Sequence, residues 1–307
     1  MATVASPGPH SGPQANPPAD AIPKRPNALW AFTKSQPLGL FGLIIILIYV
    51  GCAFGAHCIA PYDPEEIDFA AMIAAPSREH LFGTDQYGRD VLSRIIYGSR
   101  TALAVGILSS IFGCVLGALL GAASGYFGGR IDSFIQRIVD IMLSFPIIVL
   151  AMVVVAVLGK LSVFGIDINL ITAITLPIIP RMARVARAST LSIVALPFID
   201  AARAAGFSHT RIIMRHIIPN IVAPFLIMVS ASMAHAILLE ASLSFLGLGV
   251  TEPTPAWGLM LSGTSADFYQ TAPWMIIFPG VAITLAVFAF NLFGDSLRDW
   301  LDPKMKS

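Results

Sequence analysis

Residues 198–220 read FIDAARAAGFSHTRIIMRHIIPN, a basic stretch set between long apolar runs. Asp200 to Ala205 is mostly Ala and Arg, which are strong helix formers. Gly206 follows, and glycine readily supplies the left-handed turn that ends a helix. Ser208 can cap a second helix over His209–His216. Pro219 then falls in the first turn of an apolar run, where its missing N–H costs little. The segment predicts helix, glycine turn, helix, and then a membrane span. On composition alone it is also an ordinary arginine-rich loop on the side of a membrane that retains positive charge.

The runs around it decide the fold class. The chain has 307 residues, 56% hydrophobic and 12% charged, with mean hydropathy +0.77. Soluble domains carry about 25% charged residues, so this composition describes a multi-span helical membrane protein. A span needs about 20 mostly apolar residues. Six stretches qualify: Leu38–Ala60, Thr101–Tyr126, Ile138–Gly159, Val163–Pro180, Ile217–Leu239 and Trp274–Phe293. The fourth is the weakest, since it contains Asp167, Asn169, Pro177 and Pro180. The predicted fold is all-α and polytopic, with six transmembrane helices.

Charge sets the orientation. With the N-terminus inside, the outer segments hold Arg78, Arg89, Arg94, Arg100 and Lys160. The inner ones hold Lys24, Arg25, Lys34, Arg130, Arg137, Arg298, Lys304, Lys306 and all the arginines from Arg181 to Arg215. Both termini are therefore expected in the cytoplasm. The organisation read from this is a disordered cytoplasmic tail over 1–36, a first helix and extracytoplasmic loop over 37–100, a five-helix core over 101–296 carrying the loop 198–216, and a cytoplasmic tail over 297–307. The tail is not read as a signal peptide, because its charges come late and the following apolar run is too long. The net charge of +1 gives no reason to expect a nucleic-acid partner; membrane lipid is the expected surround.

Asp200-Ala201-Ala202-Arg203, Gly206 and then Arg215-His216-Ile217-Ile218-Pro219-Asn220 resemble the cytoplasmic EAA loop of permease subunits in binding-protein-dependent ABC importers. The form is that of the dipeptide/oligopeptide/nickel class, with Asp200 for the usual Glu and Ile218 for the usual Leu. Other stretches resemble the same class: Phe82-Gly83-Thr84-Asp85 with Gly88-Arg89-Asp90, Glu240 to Gly249, Pro253 to Gly258, and Leu301-Asp302-Pro303. The resemblance covers about Leu38 to Lys304 and favours the DppC/OppC type.

The resemblance implies a type I ABC importer permease (MetI-like) fold. It implies translocation of a dipeptide, an oligopeptide or a related small solute across the bacterial plasma membrane. By the same resemblance, a second permease of the DppB/OppB type completes the pore and two ATP-binding cassette subunits use ATP-Mg. An extracytoplasmic substrate-binding protein delivers the solute. Asp200, Ala201, Ala202, Arg203, Gly206, Arg211, Arg215, His216 and Pro219 would then form the ATPase-coupling loop. This chain is expected to bind no cofactor or metal and to catalyse nothing. It contains no G-x-x-x-x-G-K-[ST] phosphate loop, no H-E-x-x-H and no G-x-S-x-G. The rivals are an ion-coupled secondary transporter, which would be expected to show several intramembrane carboxylates or inverted repeats, and a membrane-embedded enzyme, which would need a catalytic constellation.

Within the apolar runs, Glu240 is either a translocation-path carboxylate or a residue at the outer interface. His235 is read as a hydrogen-bonded packing residue, and Asp132 and Asp140 as local ion-pair partners of Arg137. Gly113, Gly117 and Gly121 form a small-residue face for close helix packing. Trp257, among Pro253 and Pro255, is read as an interface anchor in preference to a contact with a delivery protein. Cys52, Cys58 and Cys114 are expected as small buried apolar residues.

Overall fold

The computed structural model describes residues 36–159, 161–163, 166–263 and 268–301. The expected N-terminal tail, apart from Gln36, lies outside these, as do Lys160, Asp302-Pro303, Lys304 and Lys306. Helix α1 spans Pro37–Ile59, with proline in its first turn, where no N–H is missed. A loop with one 3₁₀ turn at Phe69–Ala71 follows.

Helix α2 spans Val91–Phe127 and is capped by Asp90, which accepts from the Ser93 N–H at 2.8 Å. At 37 residues it is about 55 Å long, against a hydrocarbon core of about 30 Å. Its first ten residues carry Arg94 and Arg100, which is why the apolar pattern alone starts the span at Thr101. The loops around α2 satisfy Arg94, and the Ala53 carbonyl of α1 accepts from Arg100, so the helix extends beyond the apolar run.

The expected third span is two helices. α3 (Gly129–Ser144) and α4 (Ile147–Leu158) meet at a bend of 96°. Pro146 causes the break: it pushes Phe145 out of the helical region, to φ −87° and ψ 140°. After a two-residue antiparallel pair, β1 (Ser162–Val163) with β2 (Ile166–Asp167), comes α5 (Ile168–Val194). Asp167 caps α5 by accepting from the Asn169 and Leu170 N–H groups. Pro177 and Pro180 lie inside this helix, which runs on well past the expected end at Pro180. Arg184 and Arg187 beyond that point find carboxylates on α3, so the helix need not stop.

Helices α6 (Pro197–Ala204) and α7 (His209–Ile212) precede a π turn at Ile213–Ile217 and a 3₁₀ turn at Ile218–Ile221. Then come α8 (Val222–Phe245), the short α9 (Trp257–Met260) and α10 (Trp274–Leu301). Among the described residues five helical segments are long and apolar enough to cross a membrane, and the bent α3–α4 pair makes a sixth if taken as one span.

Two cores hold these helices. In the first, Gly113, Gly117 and Gly121 bring α2 onto α5 so closely that a Cβ added at each would lie 2.7 Å from a carbon of Ile178, Met182 and Ala186 respectively. The seam extends to Gly125 against Thr190. Close packing is thus the use of that glycine face. In the second, Trp257, Ile237 and Phe290 pack among α2, α8, α9 and α10. Only Cys114 meets the expectation of burial. Cys52 is half-buried and Cys58 exposed, because α1 turns only one stripe toward the rest of the chain.

Candidate functional site

The segment 197–221 is built as the sequence predicts up to its second helix. α6 closes in a Schellman turn: the Gly206 N–H donates to Arg203 O at 3.0 Å and the Phe207 N–H to Ala202 O at 3.1 Å. Gly206 sits at φ +76°. Ser208 Oγ then accepts from the Arg211 N–H at 3.3 Å. The expected helix His209–His216 is α-helical through Ile212 and widens to π from Ile213 to Ile217. Pro219 accounts for this, since it brings no N–H and its ring crowds the carbonyl four residues earlier. It lies in the 3₁₀ turn ahead of α8 and not in α8 itself.

Ile199, Ala202, Ile212 and Ile217 bury the inner side of this hairpin. The C-terminal end of α2 grips it. Tyr126 Oη lies 2.9 Å from His209 Nδ1, and the Arg203 guanidinium sits over the Tyr126 ring at 5.3 Å. Arg211 covers the Phe207 ring at 4.2 Å, and Phe207 stacks on His216 at 6.0 Å. Asp200 pairs with Arg203 at 3.3 Å. The outer surface is left to Asp200, Ala201, Ala204, Ala205, Gly206 and Arg215, all exposed. It is a smooth ridge with charges at its edges. Tyr126 was not a sequence candidate, since nothing local marks a tyrosine at the end of an apolar run.

At the other end, two loops far apart in sequence meet. Arg89 donates from Nη1 to Glu252 Oε2 at 2.6 Å and from Nε to Asp85 Oδ2 at 2.7 Å. Arg94, 1% exposed, donates from Nη1 to Pro64 O at 2.9 Å and from Nη2 to Glu252 Oε2 at 3.4 Å. These groups line a cavity of about 270 Å³. Burial disfavours the Glu252 carboxylate, but its hydrogen bond from Arg89 and the charges of Arg94 and Arg89 outweigh this and hold its carboxyl below the ordinary range. Burial likewise disfavours the Arg89 cation, and the Glu252 hydrogen bond with the Asp85 charge more than restores it.

Glu240 is 1% exposed, so it does not stand at an open outer interface. Its Oε1 accepts from Ser244 Oγ at 2.7 Å, and Ser244 Oγ accepts in turn from the Val250 N–H at 3.2 Å. Trp257 is neither anchor nor docking contact. It is 1% exposed, donates from Nε1 to Ile95 O at 2.9 Å and packs on Tyr49. Asp132 and Asp140 do not pair with Arg137. Asp132 takes a two-pronged bond from Arg187 at 2.6 Å on both prongs, and Asp140 pairs with Arg184 at 2.5 Å. Both carboxylates face α5. His235 has the expected bond, Nδ1 to Ala231 O at 2.9 Å, but it is exposed and lines a cavity. No group of three or more His, Cys, Asp or Glu among the described residues is arranged to hold a metal ion.

Apolar helices around a glycine seam, a bent span and a helical hairpin at one end define a polytopic helical membrane protein of the permease class. The family described as binding-protein-dependent transport system inner membrane component matches residues 113–307, and the N-terminal transmembrane domain of oligopeptide transport permease C matches residues 28–76. The chain is 41% identical over 274 residues to the dipeptide transport system permease protein DppC of Alkalihalophilus pseudofirmus, covering 89% of this chain and 88% of that one. It is 43% identical over 279 residues to the glutathione transport system permease protein GsiD of Pectobacterium atrosepticum, covering 91% of each. A solved inward-facing form of the MetNI methionine ABC transporter superposes with a TM-score of 0.53 at 18% identity, over 69% of this chain and 98% of that one. The chain belongs to the binding-protein-dependent transport system inner membrane components, the permease subunits of ABC importers.

Proposed function

We propose that this permease carries peptides of dipeptide or glutathione size, or a closely related small solute, and that residues 198–216 receive the stroke of an ATP-binding cassette subunit. The observation that carries the coupling assignment is the hairpin itself. Its inner side is fixed to α2 through Tyr126, and its outer ridge presents small side chains from Ala201 to Gly206. Such a ridge can enter a socket without steric conflict, and its fixed base transmits displacement into the spans. Asp200, Arg203, Arg211 and Arg215 supply the charged edges, His216 stacks beneath, and Pro219 sets the joint to α8.

On this reading a second permease of the DppB/OppB type faces α5 and α8, two ATPase subunits supply ATP-Mg chemistry, and a substrate-binding protein docks outside. This chain hydrolyses nothing. The charge pattern supports cytoplasmic termini. The separate family matches over 28–76 and 113–307 support a division between the first helix with its outer loop and the core. Glu240 supports the path wall from behind: through Ser244 it holds the Val250 turn, which leads to Glu252. The named relatives support the substrate class.

The test is purification from mild detergent with residues 198–216 intact or scrambled. Retention of ATPase subunits by the native chain and their loss from the scrambled one is expected. A native chain that brings down no ATPase, under conditions where the second permease is retained, overturns the coupling assignment.

A further inference from the structure

The three arginines of α5 are not equivalent. Arg184 and Arg187 each meet a carboxylate of α3. Arg181 has neither a hydrogen bond nor an ion pair among the described residues. It is the middle residue of the 27-residue helix Ile168–Val194, with thirteen residues on each side. A cation inside an apolar helix bundle is costly and faces a water-filled or functional cavity by default. Arg181 does line one, of about 220 Å³, between α5, α8 and the start of α4.

The rest of that wall is chemically specific. His235 reaches it from α8 with Nδ1 engaged by Ala231 O at 2.9 Å. A carbonyl accepts only, so Nδ1 carries the proton, and Nε2 of that tautomer is an acceptor. Ser242 donates to Leu238 O at 2.8 Å, which leaves its oxygen lone pairs as acceptors too. Ile148, Pro177 and Leu238 supply apolar surface. One cation, two acceptors and an apolar floor match a carboxylate, N–H groups and an aliphatic side chain on a single small molecule. The cavity is smaller than the roughly 300–1,000 Å³ of closed small-molecule sites. It is half a site, continuous with His235, Leu238, Ser242 and Phe245, which share one face of α8 by helical spacing and remain partly or largely exposed.

We infer that Arg181 and His235 form a solute-contact station on the translocation path, where Arg181 takes the carboxylate of a peptide-like solute and His235 accepts from one of its N–H groups. This rests on the permease reading above and adds to it the residues that recognise the cargo.

The test uses the assembled importer in proteoliposomes with its ATPases and binding protein, and reads ATP hydrolysis and uptake of dialanine and of glutathione separately. Arg181→Gln is expected to cut uptake about tenfold or more while binding-protein-stimulated hydrolysis persists. Arg181→Lys, which keeps the charge, is expected to stay within about threefold of wild type. His235→Phe, which keeps the bulk and removes the acceptor, is expected to lower uptake by about threefold to tenfold, and it carries the test if the Gln variant fails to assemble. Uptake by Arg181→Gln or by His235→Phe within about twofold of wild type overturns the station. So does equal impairment by Lys and Gln. A wild-type importer that hydrolyses ATP on delivery by its binding protein yet carries neither probe overturns the carboxylated-peptide assignment. A wild-type assembly with no ATP-dependent activity at all overturns the permease reading instead.

Discussion

Arg89 Nη1 lies 2.6 Å from Glu252 Oε2, joining residues 163 apart in sequence and fastening the loop after α1 to the loop after α8. Arg94 stands behind this bond, 1% exposed, and holds two backbone carbonyls, Pro64 O and Pro253 O, as well as Glu252. Removing its guanidinium leaves the buried Pro64 carbonyl without this donor, while Glu252 keeps Arg89. Arg94→Gln is therefore expected to cost about 1–3 kcal/mol, read as a lowered Tm of the purified chain in detergent. A loss below about 0.5 kcal/mol, the range of ordinary surface changes, would show that the cluster holds nothing together.

Glu252 gives the same latch a pH dependence of known sign. Its folded-state carboxyl is held below the ordinary range. A depressed carboxylate adds stability that is fully present above its unfolded value and is lost as pH falls through the folded value. With an unfolded value of about 4.3, the latch is intact at neutral pH and weakens below about pH 4. Glu252→Gln lacks the contribution at every pH. The Tm gap between wild type and variant should then be constant above about pH 5 and close on further acidification. A gap that persists undiminished in acid would refute the ion pair as its source.

Gly206 is constrained by its backbone and not by space. A Cβ there would meet nothing within 4 Å, yet φ is +76°. The left-handed region costs a β-carbon about 1–2 kcal/mol, roughly tenfold in the population of the coupled hairpin. Solute moved per ATP should fall in the order wild type, Gly206→Asn, Gly206→Ala, Gly206→Val, because asparagine tolerates this region and a β-branched residue does not. Hydrolysis should persist, since the ATPase subunits are untouched. Normal transport by the Val variant would detach this turn from coupling.

Glu240 separates two roles by two substitutions. Glu240→Gln keeps an oxygen for Ser244 Oγ, so the link through Ser244 to the Val250 N–H survives and both assembly and uptake should stay near wild type. Glu240→Ala removes the acceptor from a buried hydroxyl and should cost about 1–3 kcal/mol, with a loosened outer mouth. A changed substrate profile in the Gln variant, with stability unchanged, would return Glu240 to direct contact with the solute.

Much of this was legible in the chain. Apolar runs fixed the all-α class, and glycine, serine and proline placed the hairpin because each acts through its own local chemistry. The failures share one cause. Arg94, Arg184 and Arg187 fall outside the spans read from the sequence, yet each is inside a helix because partners distant in sequence satisfy it: Glu252, Asp140 and Asp132. Trp257 read as an interface residue because its neighbours are prolines, and the carbonyl that receives its N–H, Ile95 O, lies 162 residues away. Arg181 escaped notice for the opposite reason. Of the three arginines of α5, only the structure shows that Arg181 is the one with no hydrogen bond or ion pair among the described residues.

The glycine seam offers the sharpest test of packing. A Cβ on Gly117 would lie 2.7 Å from Met182 Cβ and 3.1 Å from the Ala183 backbone nitrogen. Backbone cannot yield as a side chain can, so Gly117→Val should separate α2 from α5 and cost about 1–3 kcal/mol or more. Gly51 in α1 is the control, since nothing lies within 4 Å of an added Cβ. Gly51→Ala should be neutral or stabilising by up to about 1 kcal/mol through helix propensity. Met182→Gly, which removes the Cβ in the way, should recover part of the Gly117→Val loss, giving a favourable coupling of about 0.5–3 kcal/mol in a double-mutant cycle. Additive losses at 117 and 182 would mean that the two residues do not touch, and that the seam lies elsewhere on α2.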